Sequence, residues 1–208
     1  MEECISVFDM LKIGVGPSSS HTLGPWKAAE RFLNELKDND LFQNTIRIQV
    51  DLYGSLSLTG KGHATDFAIM LGLSGQDPEY IPIENISKIT KSITTNDQIL
   101  LGNEITIPFK LTQDIIFNKE FLPFHANGLK FTAYLNNNSN YTSTFYSIGG
   151  GFVVKEERIN AKKKLEIKCS FPFQVSNAAE YLSIVQLKTR KFQKSCLKMK
   201  NQCVLKKK

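Results

Sequence analysis

The stretch IGVGPSSSHTLGPW, Ile13 to Trp26, constrains this chain more than any other. Gly14, Gly16 and Pro17 break any regular element and mark a turn. Ser18, Ser19, Ser20, His21 and Thr22 follow without a break. After Pro25 the apolar residues Trp26, Ala29, Phe32, Leu33 and Leu36 recur at the spacing of an amphipathic helix. A glycine turn therefore presents hydroxyls and an imidazole at a helix start. The unpaired N–H groups and the positive dipole end there suit an anion such as carboxylate or phosphate. A serine at this place also serves simply as an N-cap. Three serines with His and Thr exceed what a cap needs, and the pattern points to a ligand site.

The chain has the length and apolar content of a folded protein, with 41% hydrophobic and 10% aromatic residues in 208. A short helix is expected over Glu3–Lys12 and a second from about His21 to Leu36, stopped by KDND. Thr45–Tyr53 alternates Ile46, Ile48, Val50 and Leu52 with polar neighbours, as a half-buried strand does. The glycine-containing run GSLSLTGKGH then leads into a helix whose buried face would carry Ala64, Phe67, Ala68 and Leu71. A short helix near Ile86–Ile93 is followed by strands at Gln98–Phe109, Ile115–Phe117, Leu129–Leu135 and Tyr141–Ile148. Asn136–Asn140 forms a polar hairpin turn between the last two. The later part is mostly consecutive strands, which predicts an α+β domain with a mixed, largely antiparallel sheet and helices packed on it.

Composition changes after Val154. EERINAKKKLEIKCS is charged and linker-like, and Ser176 is a candidate N-cap for a helix carrying Ala179, Leu182 and Val185. The expected division is a domain over 1–153, a linker over 154–175 and a basic helical tail over 176–208. The net charge of +6 belongs to that tail: residues 188–208 hold nine Lys or Arg and no acid, so removing nine positive charges leaves −3 for the rest. A whole-chain basic pI is thus no sign of nucleic-acid binding. The tail offers only Phe192 as a stacking aromatic, and basic ends are commonly solvated. No apolar run is long enough to span a bilayer, and MEECISVFDM lacks the apolar core of a secretory signal. A cytoplasmic protein without a membrane partner is expected. Cys4, Cys169, Cys196 and Cys203 form no CxxC pair and are expected as free thiols.

The chemical inventory is small. The only histidines are His21, His63 and His125, and each has glycine or proline close by in the chain. Imidazole takes a proton near neutral pH without a large pKa shift, as a general base must. In TGKGHATD, Lys61 precedes His63, while Thr65 and Asp66 follow it. Asp66 would either hold the ring's tautomer or cap the next helix while His63 faces water.

The segment ISVFDMLKIGVGPSSSHTLGPWKAA, Ile5–Ala29, closely resembles the N-terminal signature of the bacterial-type, iron–sulfur-dependent L-serine dehydratases. YGSLSLTGKGHATD at Tyr53–Asp66, FHANGLKF at Phe124–Phe131 and FYSIGGGFV at Phe145–Val153 resemble the same family, in the same order. The resemblance implies that His63 abstracts the α-proton of L-serine, with Thr65 and Asp66 helping to position it or the substrate. It implies that Ser18, Ser19, Ser20, His21 and Thr22 bind the substrate carboxylate. Lys61 is a further candidate for substrate binding, and His125 and Asn127 would add polar contacts. Ala126 stands where the family pattern has proline. The family's fold resembles the allosteric substrate-binding domain of certain 3-phosphoglycerate dehydrogenases.

The same resemblance implies a 4Fe–4S cluster that activates the leaving hydroxyl. Its cysteines would lie in a C-terminal catalytic domain beyond residue 208, so no cysteine of this chain is assigned as a ligand. FPFQVSNAAEYL, Phe171–Leu182, is similar to the linker of one-chain members. The expectation is a truncated single-chain enzyme rather than a separate β subunit, inactive alone. Its partners would be L-serine and either further copies of itself or an α-type catalytic chain. The alternative is a serine- or anion-binding regulatory module without catalysis.

Overall fold

A computed structural model describes residues 14–157 together with positions 179 and 182. The expected helix at 3–12, the cysteines, the linker beyond 157 and most of the expected helix and tail after Ser176 lie outside the described residues. Positions 179 and 182 are helical and exposed. The described residues 14–157 lie in one compact unit.

The unit is α+β, as the strand-rich second half predicted. Five strands form the main sheet: β1 (Thr45–Gly54), β4 (Ile115–Phe117), β5 (Asn127–Leu135), β6 (Asn140–Gly149) and β7 (Phe152–Lys155). Their order is β4-β1-β5-β6-β7, with only the β1–β4 pair parallel. The segment expected as one strand at 98–109 is a separate hairpin, β2 (Gln98–Leu101) and β3 (Ile105–Pro108), folded at Gly102 and Asn103, both at positive φ. Helix α1 (Gly24–Asp38) lies on the sheet and buries the whole predicted stripe of Trp26, Ala29, Phe32, Leu33 and Leu36. Phe32 stacks on Phe131 at 5.1 Å, and Phe131 meets Phe145 edge-on at 5.8 Å.

Three features depart from the simple periodicities. Ile46 is 50% exposed because a register shift between Thr45 and Arg47 turns it outward, while Ile48, Val50 and Leu52 stay in the core. Short α2 (Ser55–Thr59) and a 3₁₀ turn (Gly60–His63) precede α3 (Thr65–Leu73). Phe67, expected on the buried face of α3, is 41% exposed, whereas residues 68–73 are all buried. A helix enclosed by α1 on one side and by α4 (Ile83–Asn96) and β2 elsewhere has no single apolar face. The crossing with α1 is close: a Cβ on Gly72 would sit 2.6 Å from the Trp26 carbonyl oxygen. Finally, β7 follows Gly149–Gly151, all at positive φ, and carries the sheet to Lys155, past the expected boundary at 153. Helix α5 (Leu111–Asp114) is one turn leading into β4.

Candidate active site

The serine-rich turn enters α1 through a π-turn over Ser19–Leu23, and Pro25 explains that geometry. Proline has no N–H, so the carbonyls four and five residues earlier, His21 and Ser20, lose the donor that residue 25 would supply. Two hydroxyls from other elements replace it. Thr65 Oγ1 donates to the His21 carbonyl at 2.6 Å, and Ser147 Oγ donates to the Ser20 carbonyl at 2.7 Å. Gly24 admits Ser147, since a Cβ there would come 1.9 Å from its Oγ. Ser18 is extended and caps the turn by accepting the His21 N–H at 3.2 Å. The cap does not use the Ser18 hydroxyl proton. Ser20 Oγ lies 2.9 Å from His21 Nδ1 and 3.4 Å from Ser18 Oγ. Ser19 is exposed and its hydroxyl has no protein partner among the described residues.

The second glycine turn is locked to the first. Thr22 Oγ1 donates to the His63 carbonyl at 2.9 Å, the reciprocal of the Thr65–His21 bond. Each threonine therefore holds the histidine of the other turn, and both threonines are buried. The two imidazoles end up 4.9 Å apart between centroids, tilted by 38°. His21 Nε2 is 2.9 Å from Ser55 Oγ, so both of its ring nitrogens are engaged by hydroxyls. His63 differs. Its Nδ1 lies 3.0 Å from the Thr59 carbonyl, which only accepts, so Nδ1 carries the proton. In the neutral ring the lone pair is then on Nε2, which has no protein partner among the described residues. Ala64, at φ 53°, turns the chain between His63 and α3.

The third motif lies beside these two through the sheet. Asn127 on β5 is cross-strand from Gly54 on β1 and donates its Nδ2 to the Ser147 carbonyl on β6 at 3.1 Å. Gly54 has φ 58°, and a Cβ there would be 2.3 Å from the Ala126 carbonyl oxygen. That close approach lets Ser55 N–H donate to Ala126 at 2.8 Å, tying the FHANG loop to the residue that contacts His21. His125 Nδ1 accepts the Asn127 N–H at 3.1 Å, so its proton sits on Nε2 and its free end is a donor. Among the described residues no hydrogen bond joins His125 or Lys61 to the Ser18–Thr22 turn. The Lys61 ammonium lies over the Phe117 ring, 5.2 Å from its centroid.

Electrostatics favour a neutral His21. Burial lowers its pKa first, the neighbouring His63 lowers it further, and the contact with Ser55 opposes both. Among the described residues no hydrogen bond joins Asp66 to the His63 ring. Its Oδ1 accepts the Phe67 N–H at 2.9 Å, as a helix-start carboxylate does. Burial raises the Asp66 pKa, against the backbone hydrogen bonds of Phe67 and Asp66 and the charge of Lys61. Periodicity and motif reading pointed to the three histidines but not to Ser55 or Ser147. Both serines look like ordinary turn and strand residues until the strands are paired.

No cysteine occurs among residues 14–157, and no three of His, Cys, Asp and Glu come together there in a way that would hold a metal ion. The described residues do not fit an iron–sulfur cluster. No helix among them is long and apolar enough to cross a membrane.

Residues 6–158 match the family described as serine dehydratase beta chain. L-serine dehydratase 2 of Escherichia coli (strain K12) is 42% identical over 177 residues, which is 85% of this chain and 38% of that protein. The L-serine dehydratase of Haemophilus influenzae is 42% identical over 181 residues, 86% and 39% of the two chains. That of Helicobacter pylori strain 26695 is 37% identical over 182 residues, 87% and 40%. The chain thus spans about two fifths of the length of the curated relatives it matches.

Proposed function

We propose, since the chain belongs to the serine dehydratase beta chain family, that it supplies the substrate-binding and base-bearing part of an L-serine dehydratase, a lyase. The observation that carries this reading is the histidine pair: the Thr59 carbonyl fixes the proton of the neutral His63 ring on Nδ1 and leaves Nε2 unbonded, beside a doubly hydrogen-bonded His21 whose pKa is lowered. An imidazole held in that tautomer is a general base.

In this reading the carboxylate of L-serine lies at the start of the Ser19–Asp38 helical run. The hydroxyls of Ser18, Ser19 and Ser20 and the first helical N–H groups donate to it. His21 orients the turn and, being neutral, does not repel the proton that His63 receives. His63 Nε2 takes the α-proton, and Thr22 and Thr65 keep the base and the carboxylate site in register. His125 Nε2–H and Lys61 are donors for the same carboxylate or for the developing negative charge. Departure of the β-hydroxyl falls to the portion of the enzyme outside the matched region, the portion in which the resemblance implies a 4Fe–4S cluster. Aminoacrylate, once released, hydrolyses to pyruvate and ammonia. The chain acts in the cytoplasm, with further copies of itself or with a catalytic chain as partner.

The test is complementation. Mixed anaerobically with the part of a full-length relative that lies outside the matched region, this chain should restore pyruvate formation from L-serine. Neither portion alone should do so. No turnover from a folded mixture would overturn the proposal, as would turnover by this chain by itself.

A further inference from the structure

The turn that presents Ser18 to His21 is wider than an α-helical one, and Pro25 stands where it closes into α1. The Ser18 carbonyl accepts the Thr22 N–H at 3.0 Å and the Leu23 N–H at 3.2 Å, so closures of four and five residues share one acceptor. The Gly24 N–H then reaches the Ser19 carbonyl, five residues back. The next donor of that series belongs to residue 25, and proline has none. The series therefore stops at the Ser20 carbonyl, which Ser147 Oγ serves from β6 at 2.7 Å. A proline ring also crowds the carbonyl four residues earlier, that of His21, and this carbonyl is served from α3 by Thr65 Oγ1.

Proline in the first turn of a helix ordinarily costs nothing, because the N–H there has no partner to lose. Here the helical run begins at Ser19, ahead of Pro25, so the missing donor is one that the run would use. Single π-turns are uncommon and gather at functional sites. An alanine at position 25 would offer an N–H to the His21 carbonyl and remove the crowding ring. The run from Ser19 to Asp38 could then wind as one α-helix. α-winding closes with one residue fewer, and each residue turns the chain by about 100° about the axis. The serine turn would then swing away from Ser147, Ser55 and His63. That direction matters because the Ser19 and Ser20 N–H groups have no protein partner among the described residues.

We infer that Pro25 is a positioning residue: by withholding one N–H and crowding the His21 carbonyl, it keeps the serine turn wide and aims its free donors. It acts through the turn and touches no substrate. The effect on ligand binding rests on the proposed reading of Ser18–Thr22 as a carboxylate site. The effect on the width of the turn does not.

The experiment compares wild type, Pro25→Ala, Thr65→Val and the double variant by urea unfolding, followed by circular dichroism. Each is also titrated calorimetrically with L-serine. Alanine frees the unfolded chain somewhat, but it restores a helical donor, so the Pro25→Ala midpoint should not fall. L-serine should nevertheless bind it at least about tenfold more weakly, as expected when a donor to a charged group is lost. Thr65→Val should raise the unfolding constant about thirtyfold in wild type and less than about threefold in Pro25→Ala, where the new N–H serves the same carbonyl. An equal cost of Thr65→Val in both backgrounds would overturn the control of the turn by Pro25. A lowered midpoint with unchanged L-serine affinity would make Pro25 structural only, and an unfolded Pro25→Ala protein would overturn the inference as well. Should wild type itself bind no L-serine, the carboxylate reading fails, and the unfolding cycle alone decides whether Pro25 sets the turn.

Discussion

Replacing Thr65 by valine tests the device that joins the two histidine turns. Valine matches threonine in shape, so no cavity is created and only the hydroxyl is lost. Thr65 is 0% exposed and donates at 2.6 Å to the His21 carbonyl, one of the two that Pro25 leaves without its donor. Leaving a buried acceptor unsatisfied costs about 1–3 kcal/mol. With the donor fully buried, about 2 kcal/mol is expected. In a domain of this size that lowers Tm by roughly 4–8 °C. Urea unfolding followed by Trp26, the only tryptophan and 1% exposed, should show a lower midpoint at unchanged slope. The double variant Thr22→Val/Thr65→Val should be non-additive by about 0.5–3 kcal/mol, because both bonds close one ring between the same two turns. A Thr65→Val protein within about 0.5 kcal/mol of wild type would refute the cross-tie as a stabilising element.

Other expectations follow from single contacts. Gly72→Ala puts a methyl 2.6 Å from the Trp26 carbonyl oxygen and 2.7 Å from Ala29 Cβ, so it should destabilise by about 1–3 kcal/mol in the same urea assay. The lowered pKa of His21 gives stability a pH dependence of defined sign. The unfolded chain protonates this residue near its ordinary value of about 6.5 while the folded chain resists, so stability should fall as pH drops below that value, until the folded pKa is reached. His21→Gln should flatten that part of the profile, and an unchanged profile would contradict it. Ser147→Ala leaves the Ser20 carbonyl without its hydroxyl donor and should weaken L-serine binding in titration while the overall circular dichroism spectrum is retained.

Much of the scaffold was legible because it follows local periods. The stripe of α1 and the inner row of β1 are set by 3.6- and 2-residue repeats, and both came out buried as expected. Ile46 escaped because a bulge shifts the register at one end of the strand, which no alternation records. Because α3 is packed on several sides it has no single apolar face to read, and Phe67 came out exposed while Ala68 and Leu71 are buried as expected. Strand β7 was missed behind three glycines that look like an ending but form the tight turn of a hairpin. Of the three histidines that the chain singles out, His21 and His63 come together, 4.9 Å apart between ring centroids. Thr22, Thr65, Ser55 and Ser147 act on partners 34 to 127 residues away, so their hydrogen bonds appear only when the sheet assembles. For Asp66 the chain left two roles open, holding the His63 ring or capping the next helix, and in the fold its Oδ1 accepts the Phe67 N–H.

The central claim is that His63 Nε2 removes the α-proton. It is tested most directly by kcat for L-serine in the complemented enzyme carrying His63→Ala, with and without added imidazole. Loss of the general base should lower kcat by about 10²–10⁴-fold with little change in KM, and imidazole should restore part of it. Undiminished kcat in His63→Ala would contradict the assignment.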